Sequence, residues 1–205
     1  MIPNRRDCLN LMDKYMVPIG IRRHCQIVNK IAVLLAKRLR AAGIDIDVDL
    51  VDAASMLHDL MRVINFDTFE GAKREEQTVW EKMKERYGHM DHSEAAYEVL
   101  KDIYPKVAGV IIKHGVTSVI KGEPKAWEEK VLAYADRRVM HTKIVSVDER
   151  YEDIQLRHAD FYEKTGLDAG LEKKRILKIE KEIFRNLKFT PEGLAEEVIK
   201  MKDDS

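Results

Sequence analysis

The chain has 205 residues, and its 36 Lys and Arg are matched by 36 Asp and Glu, so the formal charge is zero. That length fits one domain burying roughly 70% of its unfolded surface. The balanced charge gives no evidence for a nucleic-acid partner, although a local basic pocket for a small phosphate stays open. With 45% hydrophobic and 35% charged residues, and only 10 Gly and 5 Pro, the composition excludes collagen-like, disordered and all-β classes.

Apolar residues recur at helical spacing almost throughout, so the expected class is all-α. A short helix over 4–15 stops before Val17 and Pro18, and a long one over 19–42 stops at Gly43. Asp49 is the expected cap of a third helix over 50–63. The charged stretch from Lys73 to Tyr87 carries Val79, Met83 and Tyr87 at helical spacing, and reads as an exposed helix inserted over the core, placed to act as a lid. Helices follow over 91–101, over 105–114 with Pro105 at its start and Gly115 past its end, and over 124–141 with Pro124 at its start. Beyond Val147, three more helical stretches lead to a polar tail, with Thr190 and Pro191 opening the last.

Cys8 and Cys25 form neither a CxxC motif nor a disulfide framework, and read as reduced thiols of a cytoplasmic protein. The apolar runs Ile31–Ala36 and Val107–Ile112 are far shorter than the roughly 20 residues of a membrane helix, and the N-terminus has no signal-peptide pattern, so no membrane association is expected. Asp45, Asp47 and Asp49 begin like a calcium loop, but Leu50 stands at the required Gly and Met56 at the closing Glu. His24, His58 and His92 are spaced 34 residues apart, a period known in helical repeats. Their neighbours share nothing beyond the histidine, which removes the repeat reading.

Six ionisable groups fall on apolar helix faces. His24 precedes Val28, Ile31 and Leu35 on one stripe; His58, with Asp59 at the seam, shares a side with Ala54 and Met61. His92 aligns with Ala95, Ala96 and Val99, His114 follows Val107, Val110 and Ile111, and Asp136 lies between Leu132 and Val139. One such histidine is ordinarily a satisfied core residue. Groups of this kind on five helices point to a shared metal ion, which would offset the desolvation of all of them together.

The order of these residues resembles the HD superfamily of metal-dependent phosphohydrolases. The resemblance covers about residues 19–147 and rests on Ala-Ala-Ser-Met-Leu-His58-Asp59-Leu-Met-Arg62, His92-Ser-Glu-Ala-Ala, Ile-Ile-Lys-His114-Gly and Leu-Ala-Tyr-Ala-Asp136-Arg-Arg. It implies a compact multi-helix bundle, with an HD-type core expected over 1–147 that includes the charged insertion 66–90. The C-terminal helices over 148–205 lie outside the resemblance and are expected as an extension packed on the same domain. It also implies that His24, His58, Asp59 and Asp136 hold one divalent ion, while His92 and His114 hold a second with Asp59 as bridge. Imidazole and carboxylate ligands suit iron, manganese, cobalt, nickel or zinc. The implied reaction is hydrolysis of a small phosphate ester or anhydride, with a nucleotide as the leading candidate, by a water activated at the ion.

His89, three residues before His92, is placed to share its helical face, either as an alternative ligand or as a catalytic proton donor; an exposed helix-start histidine is the competing reading. Arg62, three residues after the doublet, can reach back to grip a phosphate or can form a surface salt bridge. Lys113 and Arg137 flank ligands and are further substrate-binding candidates. His141 and His158 match no motif position and read as solvated helix surface. Trp80, Trp127, Phe66 and Phe69 can stack on a base but fit core or docking positions better, as do Tyr97, Tyr134 and Tyr151. The segment after Asp136 lacks the nearby acidic residue of some HD branches, which leaves the substrate unassigned; the sequence does not fix the oligomeric state, and a homodimer is open. Two other readings stand beside the hydrolase: a mixed-valent di-iron oxygenase built on the same ligands, and a metal-stabilised helical regulatory module without turnover.

Overall fold

The computed structural model describes residues 1–201; the polar tail read from the sequence lies for the most part outside them. The described residues contain eleven α-helices and one two-stranded hairpin, an all-α helical bundle. The helices are α1 (Arg5–Lys14), α2 (Ile19–Ala41), α3 (Val48–Leu57), α4 (Arg74–Tyr87), α5 (His92–Leu100), α6 (Pro105–Ile112), α7 (Val116–Lys121), α8 (Trp127–Asp136), α9 (Val147–Thr165), α10 (Ala169–Phe184) and α11 (Leu194–Lys200). Strands β1 (Val139–Met140) and β2 (Lys143–Ile144) pair antiparallel between α8 and α9.

The long helix α2 is the centre of the core. Cys25, Val28, Ile31, Ala32, Leu35 and Leu39 recur at helical spacing and are fully buried, and α3, α8, α11 and β1 pack around them. Because α2 is buried on most of its circumference, it tolerates a polar group only where another element answers it. Asn29 meets that condition: its amide donates to the Asp52 side chain at 2.6 Å and to Ser55 at 3.0 Å, joining α2 to α3. Helices α5 and α6 pack as a pair, and α6 closes against α3 and α8. Beyond the hairpin, α10 packs on α7, α8 and α9, and α11 returns to α2.

Several boundaries differ from the sequence reading for local reasons. Helix α3 is capped by Asp47, whose side chain accepts from the Leu50 amide at 3.0 Å, and not by Asp49. It ends at Leu57, so His58 and Asp59 lie in the turns that follow, before a 3-10 turn over Arg62–Asn65. The run expected over 124–141 ends at Asp136, and Val139 lies in β1 instead of continuing a helix. His141, expected on a helix surface, occupies the hairpin turn with φ of 58°. Helix α7 was not expected; it starts after Gly115 and ends at Gly122, which takes the left-handed conformation (φ 68°) that glycine adopts freely.

The charged helix α4 forms as expected but is docked, not free. Trp80 and Met83 are buried, the Trp80 indole donates to the Met16 carbonyl at 3.1 Å, and its ring meets Phe69 edge-on. Lys84 donates to the Phe66 carbonyl, tying the helix to the segment before it. Phe66 and Trp127 also pack against the core, and Tyr134 and Tyr151 are among its largest fully buried side chains. Replacing Trp80 by Ala removes the indole anchor and is expected to destabilise the protein by about 3–5 kcal/mol. Urea unfolding measures it; a change below about 1 kcal/mol would mean that α4 is not held through this residue.

Candidate metal centre

Five elements bring four imidazoles and two carboxylates to one interior point. His24 comes from α2, His58 and Asp59 from the end of α3, His92 from the first turn of α5, His114 from the end of α6, and Asp136 from the last turn of α8. His58 and His114 are essentially inaccessible and His92 is buried. The His24 ring lies 5.4 Å from His58, His58 lies 5.2 Å from His114, and His114 lies 5.4 Å from His92, centroid to centroid. His24 Nε2 is 3.0 Å from Asp136 Oδ1, His58 Nε2 is 3.6 Å from the same oxygen, and His92 Nε2 is 3.2 Å from Asp59 Oδ1. Asp59 Oδ2 stands 3.9 Å from His24 Nε2 and 3.8 Å from His58 Nε2.

The other ring nitrogens fix how these groups face one another. Nδ1 of His58 meets the Ser55 carbonyl at 2.8 Å, Nδ1 of His114 meets the Ile111 carbonyl, and Nδ1 of His24 meets the His141 carbonyl at 3.3 Å. A carbonyl oxygen only accepts, so each Nδ1 carries a proton and Nε2 is the nitrogen that each ring turns inward, the one that can give a lone pair to a cation. Nε2 of both His58 and His114 is buried without a hydrogen-bond partner. Lone pairs and carboxylate oxygens this close repel one another unless cations are shared among them, either protons or a metal ion. The donor chemistry therefore fits a divalent ion. Two sets of three have ligand atoms within 4.8 Å of one another, His24 with His58 and Asp136, and His58 with Asp59 and His114. Because Nδ1 of His58 is engaged, its single free nitrogen can serve only one of the two.

Titration follows from the same crowding. Burial raises the cost of charge on Asp59 and Asp136, but His58, His92 and Arg62 hold Asp59 below the usual carboxylate range, and Arg137, His24 and His58 hold Asp136 below it. Burial likewise opposes charge on His58, yet Cys25, Asp59 and Asp136 together lift it above an ordinary histidine. His114 goes the other way: burial first, then the neighbouring His58 and His92, push it down to about 3. The centre separates two histidines of one cluster by environment alone.

An outer layer holds the cluster in register. Arg137 donates to Asp136, while its Nε and a terminal nitrogen reach Glu172 Oε1 at 3.0 and 2.7 Å. Glu172 is fully buried and also accepts from the Tyr162 hydroxyl at 2.5 Å. Arg137, expected to bind substrate, is thus buried between two carboxylates and acts as a structural bridge from α10 to Asp136. Lys113 directs its ammonium to Glu123 at 3.0 Å and so is not drawn into the cluster. His89 is exposed in the turn before the Asp91 cap of α5, so it does not share the helical face of His92. Arg62 does reach the centre, with a terminal nitrogen 3.0 Å from His92 Nδ1. Gly115 is needed at its position because a Cβ there would collide with the Ser93 side chain, beside His92.

Sequence reasoning did not single out Asn65, Asp91, Glu172 or the His141 carbonyl. Asn65 Oδ1 lies 3.1 Å and Asp91 Oδ2 3.2 Å from His92 Nδ1. Asp91 alone carried a local signal, its place three residues before Glu94 in a reciprocal cap.

Two outcomes are expected from these contacts. Glu172→Gln leaves the Arg137 guanidinium short of its buried partner and should destabilise the protein by about 3–5 kcal/mol in urea unfolding; a loss under about 1 kcal/mol would contradict the pairing. For His114, the folded value of about 3 lies below the ordinary 6.5, so the unfolded chain binds the proton first. Its contribution is complete above pH 6.5 and declines as the pH falls toward 3. In metal-free buffer, His114→Gln should flatten the dependence of stability on pH in that window, and an unaltered slope would count against the assignment.

Comparison with known proteins places these residues in a family. The chain is 25% identical over 195 residues to a tRNA (cytidine(56)-2'-O)-methyltransferase of Thermoplasma volcanium, covering 88% of this chain and 47% of that protein. It therefore spans about half the length of that relative, and the alignment is too long to be confined to the core helices. It is 24% identical over 144 residues to an uncharacterised protein of Methanocaldococcus jannaschii, covering 63% of this chain and 72% of that one. No solved structure matches the chain significantly. The HD domain family matches residues 21–140, the stretch that runs from just before His24 to just after Asp136, and the chain belongs to that family.

Proposed function

We propose that the chain is a metal-dependent phosphohydrolase acting on a small phosphate ester or anhydride. The observation that supports it most is the set of inward Nε2 atoms, two of them buried and unpartnered, facing two carboxylates. In this reading His24, His58, Asp59 and Asp136 would hold one divalent ion, and His92 and His114 would hold a second with Asp59 between them. Such ions draw charge from phosphoryl oxygens and make water a nucleophile near neutral pH.

The chain's own residues set the geometry. Arg137 engages one Asp136 oxygen and leaves the other toward His24 and His58. Carbonyls of Ser55, Ile111 and His141 hold three imidazoles in the tautomer that presents Nε2. At His92 two arrangements compete. Nδ1 either accepts from Arg62 or carries a proton that it donates to Asp91 or Asn65. A ring that gave its Nε2 lone pair to a bound ion would keep its proton on Nδ1, which would leave Arg62 without an acceptor there and its guanidinium available for a phosphoryl oxygen. In the net reaction a water oxygen bonds to phosphorus, the bond from phosphorus to the leaving oxygen breaks, and the proton ends on the leaving group.

A nucleotide is the leading substrate class within this reading. The likeness to a tRNA methyltransferase supports a second one, in which the chain is a metal-stabilised helical module that accompanies an activity carried elsewhere. The iron-loaded oxygenase remains a third outcome of the same experiment. Protein reconstituted with manganese, iron, cobalt or nickel is analysed for metal and assayed on phosphomonoesters, phosphodiesters and nucleotides, with oxygen uptake followed in parallel. The expected result is bound metal and phosphate release. Asp59→Ala should lower metal content and reduce turnover by at least the about 10–100-fold typical of disturbed metal sites. Metal uptake without release from any phosphate compound would favour the module, and oxygen consumption without phosphate release the oxygenase.

A further inference from the structure

Backbone carbonyls meet Nδ1 of three imidazoles of the centre, and His92 is the exception. Three side chains stand around its Nδ1 instead: a terminal nitrogen of Arg62 at 3.0 Å, Asn65 Oδ1 at 3.1 Å and Asp91 Oδ2 at 3.2 Å. Its Nε2 stands 3.2 Å from Asp59 Oδ1. His92 nevertheless belongs to neither set of three whose ligand atoms lie within 4.8 Å of one another, and both of those sets draw on His58.

We infer that Arg62 makes the His92 side of the centre conditional, holding His92 back from a second divalent ion until an oxyanion, phosphate or the phosphoryl group of a substrate, takes its guanidinium. The inference rests on the metal-dependent reading above and adds a coupling to it. One ion binds unaided, and the second binds together with the anion.

Hydrogen-bond chemistry carries the argument. Guanidinium nitrogens only donate, so a ring nitrogen that accepts from one at 3.0 Å carries no proton. The proton of the neutral His92 ring then sits on Nε2, on the side of the Asp59 carboxylate, and that nitrogen has no lone pair to give. To serve a cation through Nε2 the ring must carry its proton on Nδ1, where Asp91 is within reach as acceptor. Two donors cannot share that point, so Arg62 has to withdraw. The ring keeps the same number of protons throughout; one proton changes nitrogen.

Asp91 is prepared for its part. It caps α5, and its other oxygen accepts from the Ser93 amide at 2.9 Å and from the Ser93 hydroxyl at 2.5 Å, so the carboxylate is held in place by contacts that do not involve His92. Arg62 is not held in this way. It is half-buried, makes no ion pair among the described residues, and has its one hydrogen bond to His92. A guanidinium carries five donors in a planar fork that matches two phosphate oxygens at once, and such a charge-assisted pair is stronger than one bond to a neutral imidazole. An arriving oxyanion thus draws Arg62 away and frees His92 by the same movement. Linkage makes the effect reciprocal: the factor by which phosphate tightens the second ion is the factor by which that ion tightens phosphate.

The test uses the full chain and reads metal binding instead of turnover. Manganese is titrated into metal-free protein with and without inorganic phosphate, and free Mn(II) is counted by its paramagnetic resonance. Wild type should bind one manganese in phosphate-free buffer and a second about tenfold or more weakly, and phosphate should tighten the second by about tenfold or more. Arg62→Met, which removes every donor, should tighten the second ion in phosphate-free buffer and abolish most of the response to phosphate, whereas Arg62→Lys should keep part of that response. Nitrogen resonances of histidine-labelled, metal-free protein give an independent reading, with the His92 proton expected on Nε2 in wild type and on Nδ1 in Arg62→Met. Wild type that binds two ions equally well without phosphate overturns the inference, as does wild type that binds no second ion with phosphate present. So does an Arg62→Met variant whose response to phosphate is unchanged, the result expected of an anion that merely bridges two ions. A proton on His92 Nδ1 in wild type also overturns it, and that spectrum decides if melting shows that Arg62→Met does not fold. Ester hydrolysis by protein whose second ion ignores Arg62 removes the coupling and leaves the hydrolase; the coupling without hydrolysis of any ester removes the hydrolase and leaves the coupling.

Discussion

The structure depends on one constraint: polar groups withdrawn from water on several helices must compensate one another at a single point. His24, His58, His92, His114, Asp59 and Asp136 each sit on an otherwise apolar surface, where alone any of them would cost several kcal/mol. Together they form a centre in which every carboxylate faces imidazole, and the helices must pack so as to keep it assembled. The orientation of α2 against α3 and α8, and the close approach of α5 to the turn after α6 at Gly115, both serve this convergence.

Compensation extends outward in layers. Asp136 is answered by Arg137, Arg137 by Glu172, and Glu172 by Tyr162. This line of buried polar groups runs from the cluster into α9 and α10, so the C-terminal helices belong to the electrostatics of the centre as much as to the packing around it. A buried ion pair of this kind is weak evidence for net stability but strong evidence for a fixed geometry once formed, since removing either partner strands the other. Tyr134, Arg138 and Glu180 make a parallel link between α8 and α10.

The parts legible in the sequence were those written in side-chain periodicity. The inward face of α2 and the alignment of His92 with Ala95 and Ala96 follow from a 3.6-residue period, and the structure places all six cluster residues together. What the sequence hid were interactions made by backbone or by distant partners. The His141 carbonyl that orients His24 has no side-chain signature, and the hairpin turn that presents it lacks a glycine. Arg137 looked available for substrate because its buried partner, Glu172, lies on another helix well along the chain. His89 stands three residues before His92, a spacing that would share one helical face, whereas Asp91 caps α5 between them. His158, read as solvated helix surface, is half-buried for the same reason: its neighbours come from tertiary packing.

The central claim is that the cluster holds a divalent transition metal. Anomalous diffraction at the manganese absorption edge, from crystals of manganese-loaded protein, tests it without reference to any substrate. The account predicts at least one strong anomalous peak within about 2.0–2.3 Å of the Nε2 atoms of His24 and His58 and of an Asp136 oxygen, a normal range for such ligands. A fully loaded crystal with manganese only elsewhere, and these imidazoles bonded to protons or water instead, would contradict it.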